Sequence, residues 1–93
     1  MENKIKDFAD IKVGDLAVNN DTFEDLGLIV KKGGFKTMRA AGYISDFEAE
    51  EFEDFDSEEL SELQFVLVKE EFYGNTLFMY DFDPCSAVVL ENK

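Results

Sequence analysis

The stretch QFVLVKEEFYGNTLFMYDF, residues 64–82, decides the fold of this chain. Residues 64–71 are mostly apolar and rich in β-branched and aromatic side chains, the types that suit a pleated, half-buried surface. Phe72-Tyr73-Gly74-Asn75 supplies a turn and residues 76–82 answer as a second strand, so the stretch predicts a β-hairpin. Just beyond it, Asp83-Pro84-Cys85-Ser86 must leave the sheet, because Pro84 has no backbone donor and restrains the residue before it. Residues 87–90 (AVVL) then form a last short strand.

On the N-terminal side of the hairpin lies SDFEAEEFEDFDSEELSE, residues 45–62. It holds ten carboxylates (Asp46, Glu48, Glu50, Glu51, Glu53, Asp54, Asp56, Glu58, Glu59 and Glu62), and no base occurs between Arg39 and Lys69. Read as one helix, Phe52, Phe55, Leu60 and Leu63 fall within roughly a 140° arc, at about 100° per residue. Asp56 and Glu59 fall inside the same arc, which makes a poor core face. A break is more consistent: Asp56 as N-cap with Glu59 three residues on is a capping box that opens a short helix through about Leu63. Glu58 and Glu59 in its first turn also suit the helix dipole. What precedes Asp56 reads equally as a loop or as another short helix.

Further back, Ile5 and Phe8 stand three apart, enough for one helical turn or a packed lead-in. Ile11-Lys12-Val13-Gly14-Asp15-Leu16-Ala17-Val18 reads as a tight turn feeding a strand, with Gly14 permitting the bend. Residues 19–25 form a polar loop with Phe23 folding back. Residues 27–32 and 35–41 flank Gly33-Gly34, a two-residue hairpin signal, and the alternation in FKTMRA supports residues 35–41 as a half-buried second arm. Five short strands, two hairpins and a proline turn before a brief final strand predict a mainly β (α+β) fold. The expected architecture is one domain, residues 1–93, forming a small, strongly curved five-stranded barrel. It carries a short helix near residues 56–63 within an acidic insertion, residues 45–62.

Two ends of the chain carry a resemblance. Phe8-Ala9-Asp10-Ile11-Lys12-Val13-Gly14-Asp15-Leu16-Ala17-Val18 resembles the first strand of SH3-like small barrels, which often begin with a hydrophobic-K-x-G-D-x-x-V phrase. Asp83-Pro84-Cys85-Ser86-Ala87-Val88-Val89-Leu90 is similar to their final turn and strand. The likeness covers about a quarter of the chain and implies a fold without an activity, since such barrels host many functions. Where those barrels have a short connection before the last hairpin, this chain inserts its acidic segment.

Ninety-three residues suffice for one modest core, and ten phenylalanines make the chain too aromatic for a disordered one. The net charge of −13 is unevenly placed: residues 1–44 carry seven acids against seven bases, and residues 45–68 carry ten acids and no base. Such a field repels nucleic acid and anionic membrane and complements a basic protein surface. A single cysteine, Cys85, excludes an internal disulfide. The apolar runs fall far short of the roughly 20 residues that a membrane span needs. The expectation is a cytoplasmic protein, of a bacterial host if the chain is phage-encoded.

With no histidine, Ser-His-Asp, Cys-His and His-metal sites are impossible. Cys85 has no cationic neighbour in sequence and reads as a packing residue rather than a nucleophile. Asp54-Phe55-Asp56-Ser57-Glu58 begins like an EF-hand loop, but Glu59 and Phe65 stand where that loop needs Gly and Glu. The chain is therefore read as a non-enzyme without cofactor or metal. Ten carboxylates over 17 residues, about 25 Å if helical, give roughly one charge per 2.5 Å, against one per about 1.7 Å in duplex DNA. The expected function is a small acidic inhibitor that occupies the nucleic-acid-binding surface of a nuclease or related enzyme. The class-level likeness is to phage and mobile-element DNA mimics of the anti-CRISPR or anti-restriction type. Its expected contact residues are Asp46, Phe47, Glu48, Glu50, Glu51, Phe52, Glu53, Asp54 and Phe55, the phenylalanines serving as apolar anchors in a polar rim. The bland reading is that the acids are a solvated face and the phenylalanines core. The alternative function is a non-catalytic SH3-like adaptor that binds a peptide or subunit through Phe72, Tyr73, Tyr80 and Phe82.

Overall fold

The computed structural model describes residues 4–70, 74–80 and 86–91. Five strands, β1 (Leu16–Asn19), β2 (Asp25–Gly34), β3 (Gln64–Glu70), β4 (Gly74–Met79) and β5 (Ala87–Val88), form one antiparallel sheet in the order β4-β3-β2-β1-β5. The sheet curls strongly into a half-barrel, and the fold is mainly β (α+β), as the sequence leads one to expect. Three short helices, α1 (Phe35–Ala40), α2 (Asp46–Ala49) and α3 (Ser57–Glu62), all lie in the connection between β2 and β3. Of the expected turn Phe72-Tyr73-Gly74-Asn75, Gly74 and Asn75 belong instead to β4, paired with Glu70 and Lys69; Phe72, Tyr73, the Asp83-Pro84 turn and Cys85 lie outside the described residues.

Two features produce the curl. The β2–β3 register skips Val30, and the β1–β2 register shifts between Ala17 and Val18; such bulges bend a strand and increase its twist. Gly27, paired with Ala17, brings its backbone so close to β3 that a Cβ there would overlap the Lys69 carbonyl oxygen. A glycine is needed at that point for the sheet to fold on itself.

The expected hairpin about Gly33-Gly34 is not formed, and residues 35–41 are not a strand. Both glycines stay in the β2 ladder, paired with Phe65 and Gln64, and neither has the positive φ that a tight hairpin turn demands. FKTMRA satisfies two periods at once. A strand would put Phe35 and Met38 on opposite faces, whereas a helix puts them on one, and both are buried. Gly42, at φ 88°, ends the helix: its N–H donates to the Arg39 carbonyl at 3.0 Å and Tyr43 N–H to Met38 at 2.9 Å, the paired bonds of a Schellman cap. The actual first hairpin joins β1 to β2. In its loop Asn19 Oδ1 accepts from the N–H groups of Asp21 (2.7 Å) and Thr22 (3.0 Å). Phe23 does not fold back onto the core; it stands exposed at φ 61°.

Strand β3 is buried on both faces. Val66 and Val68 point into the curl, where they join Val18, Ile29, Tyr80 and Val88 in one core. Phe65 points outward into a second cluster with Phe35, Met38, Ile44 and Leu63. Strand β4 divides in the same way, with Phe78 inward and Leu77 and Met79 outward. This explains why residues 65–68 (FVLV) read as an unbroken apolar run instead of an alternating one.

The open end of the curl is tied by the N-terminal lead-in. Ile5 bridges Leu90, Lys6 N–H donates to the Val89 carbonyl at 2.7 Å, and the Tyr80 hydroxyl donates to the Lys6 carbonyl. Phe8 opens a single 3-10 turn, Phe8–Asp10, and packs on Tyr80 with ring centroids 5.6 Å apart. Lys32 Nζ donates to the Phe8 carbonyl at 2.7 Å and lies over the Phe8 ring. Asp15 accepts from Lys12 N–H at 2.9 Å and pairs with Lys6 at 3.4 Å. The Lys12 backbone bond, with the Lys6 charge beside it, holds the Asp15 carboxyl below the usual range.

Two outcomes are expected. Gly27→Ala should lower unfolding free energy by about 3 kcal/mol or more, from overlap added to backbone strain, whereas Gly14→Ala, with φ also positive but open space around it, should cost about 1 kcal/mol; urea titration distinguishes them. Asp15 has a depressed folded pKa, so its contribution is fully present above the unfolded value of about 3.9 and is lost as pH falls through the folded value. Asp15→Asn should therefore destabilise by about 1 kcal/mol at pH 7, with the difference from wild type shrinking towards zero as unfolding is measured at progressively more acid pH.

Candidate functional site

The acidic segment begins with Ser45, the N-cap of α2, whose Oγ accepts from Glu48 N–H at 3.1 Å and donates to Glu48 Oε1 at 3.0 Å. Helix α2 tightens into a 3-10 turn, Glu50–Phe52, and the chain then turns before α3. Asp56 caps α3 through Oδ1, which accepts from Glu59 N–H at 2.8 Å, so this cap stands where the sequence indicates. Of the two conformations open for the residues before Asp56, short helical turns are the one adopted.

The helical turns sort the side chains by distance from the sheet. Ala49, Phe52, Phe55 and Leu60 pack against the outer cluster, and Leu63 is buried within it. Phe52 makes edge-on contacts with Phe35 (5.2 Å between centroids) and with Phe55 (5.5 Å). All ten carboxylates are left exposed. The segment is a crest of charge held down by an apolar underside.

The expected contact residues divide accordingly. Phe47 is 77% exposed, while Phe52 and Phe55 are half-buried and committed to the outer cluster. Asp46 pairs with Arg39 at 2.9 Å, and Glu48 belongs to the Ser45 cap. Glu50, Glu51, Glu53 and Asp54 have no side-chain hydrogen bond or ion pair among the described residues. Because the helical path breaks between Phe52 and Ser57, the charges do not run along one straight 25 Å rod as a continuous helix would place them. They cover a bent patch instead.

Between this segment and the sheet lies a cleft of about 170 Å³, lined by Ile44, Phe52, Phe65, Leu77 and Met79, with Glu48 and Glu51 beside them. The sequence concealed it, because its walls come from three separate stretches brought together by the outer face of β3 and β4. Among the described residues no group of three or more carboxylates or cysteines is arranged to hold a metal ion, and no helix is long and apolar enough to cross a membrane. Tyr80, one of the aromatic contacts expected for an adaptor, is 4% exposed and belongs to the inner core. Phe72, Tyr73 and Phe82 lie outside the described residues. Comparison with known protein families, with characterised proteins and with solved structures found no match.

The two kinds of phenylalanine predict separate consequences. Phe52→Ala should lose about 2 kcal/mol, less than a fully buried ring because Phe52 is only partly covered. Phe47→Ala should stay within about 0.5 kcal/mol of wild type. Chemical denaturation followed by far-UV circular dichroism checks both.

Proposed function

We propose that the protein is a small acidic inhibitor whose 46–55 surface occupies the nucleic-acid-binding surface of a nuclease or similar enzyme, in the manner of a DNA mimic. The observation that carries this reading is that Glu50, Glu51, Glu53 and Asp54 have no hydrogen bond or ion pair among the described residues, on a segment anchored from beneath by Phe52 and Phe55. Caps and a single ion pair account for Asp46, Glu48 and Asp56, whereas those four carboxylates cap no helix and pair with no base among the described residues. Like charges so close together repel and lower stability, and a cationic partner surface relieves that repulsion. Exposed Phe47 offers an apolar contact at the edge of the patch. The same reading takes the half-barrel as SH3-like, a scaffold from which the acidic connection projects. An anti-CRISPR or anti-restriction role in a phage-infected bacterial cytoplasm is one setting for such a protein.

The test is capture from bacterial lysate on immobilised protein, with duplex DNA as competitor. Nucleic-acid-binding enzymes should be retained at roughly 0.05 M salt and released by roughly 0.5 M salt or by the DNA. The variant Glu50→Lys/Glu53→Lys/Asp54→Lys should fold normally, because these exposed side chains make no hydrogen bond or ion pair among the described residues, and should retain none of those enzymes. Retention unaffected by salt, by DNA and by this variant would sink the reading.

A further inference from the structure

The cleft beneath Glu48 and Glu51 has a chemistry that selects its occupant. At about 170 Å³ it is smaller than the roughly 300–1,000 Å³ of small-molecule pockets, so it suits one side chain. Its floor is apolar: Ile44 and Phe65 are 5% and 4% exposed, and Phe52, Leu77 and Met79 complete it. Its rim is anionic. Glu48 and Glu51 stand three residues apart, which on a helical path places them on one side. Glu48 is oriented by Ser45 Oγ at 3.0 Å, and Glu51 has no partner among the described residues.

An aliphatic side chain seated here would strip water from two carboxylates without replacing it, which is costly. An acidic side chain would be repelled. A small cation would meet a floor without oxygen ligands. A side chain with an apolar stem and a cationic head satisfies floor and rim together, and a planar guanidinium can bond to both carboxylates at once, which a single ammonium does less well.

We propose that this cleft is an arginine-accepting subsite: the stem of an arginine from a basic partner lies on Phe65, Leu77 and Met79, and its guanidinium bridges Glu48 and Glu51. The proposal rests on the reading of the acidic crest as a partner surface, and it names the specific contact within that surface. Arginine is also the residue in which nucleic-acid-binding surfaces are rich.

The probe is a capped Gly-Arg-Gly tripeptide, titrated into the intact protein and followed by NMR. Methyl signals of Ile44, Leu77 and Met79 should shift together and saturably, with no comparable shift for the methyl groups of the inner core. Glu48→Gln and Glu51→Gln should each weaken binding at least about threefold, the usual strength of an exposed ion pair. Gly-Lys-Gly should bind more weakly, and a norleucine tripeptide should leave the spectrum unchanged. The proposal is overturned if shifts spread evenly along the crest to Glu62, if the glutamine variants bind as wild type does, or if norleucine or lysine matches arginine. Failure of the tripeptide at the cleft removes the subsite alone. Loss of DNA-competed capture removes the crest reading and leaves the tripeptide result standing.

Discussion

Strand β3 has two apolar faces, and most of the molecule answers to that constraint. Val66 and Val68 fill the inside of the curl, which β1, β5 and the N-terminal lead-in close. Phe65, with Leu77 and Met79 on β4, presents an equally apolar surface on the outside. Among the described residues no second sheet covers that outer face. The 29 residues between β2 and β3 do so, through Phe35, Met38, Ile44, Phe52, Phe55, Leu60 and Leu63. The acidic connection is therefore half of a core as well as a candidate surface.

That dual role explains how such a charged segment holds a defined shape. Burying a phenylalanine or leucine side chain stabilises by about 1.5–3 kcal/mol when complete, and the segment half-buries Phe52, Phe55 and Leu60 and fully buries Leu63. Repulsion among exposed carboxylates is weakened by water and salt, so a handful of apolar contacts outweighs it. Two N-caps, at Ser45 and Asp56, add local direction. Carboxylates in the first turn of each helix also lie on the favourable side of its dipole. Acidity and helicity thus reinforce each other in α2 and α3, which is not so for Glu50, Glu53 and Asp54.

What the sequence revealed follows from the range of each interaction. The Asp56 cap was legible because its donor lies three residues away, and the pairing of β3 with β4 because the two strands are neighbours in sequence, although the turn was placed two residues too far along at Gly74 and Asn75. FKTMRA was misread because six residues fit two periods; the choice between them is made by β3, which already pairs with Gly33 and Gly34. Phe52 and Phe55 were open to reading as anchors for a partner beside the blander reading as core, since the cluster they pack against joins Phe35 and Ile44 to Phe65 from either side of them in the chain. The cleft was illegible for the same reason. The unevenness of charge, by contrast, needed no structure to be seen.

The break in the helical path changes what kind of imitation the proposed reading would require of the crest. A straight helix would set charges along one line, matching a single edge of a duplex at best. Here the chain turns between Phe52 and Ser57, because Phe52 and Phe55 both pack downward and Asp56 must be extended to cap α3. The carboxylates do not share one line, and two of them, Glu48 and Glu51, border an apolar hollow. Phosphates of a duplex also occupy a surface, yet nothing in their array offers a pocket for an aliphatic stem. Under the proposed reading, a basic groove that met this crest would find the charge of a nucleic acid together with a contact that nucleic acid lacks. Charge alone would leave the association weak at cellular ionic strength, where the Debye length is about 8 Å. A desolvated side chain in a hollow is much less sensitive to screening, so on the proposed reading an arginine in the cleft would add affinity that acidity by itself does not supply.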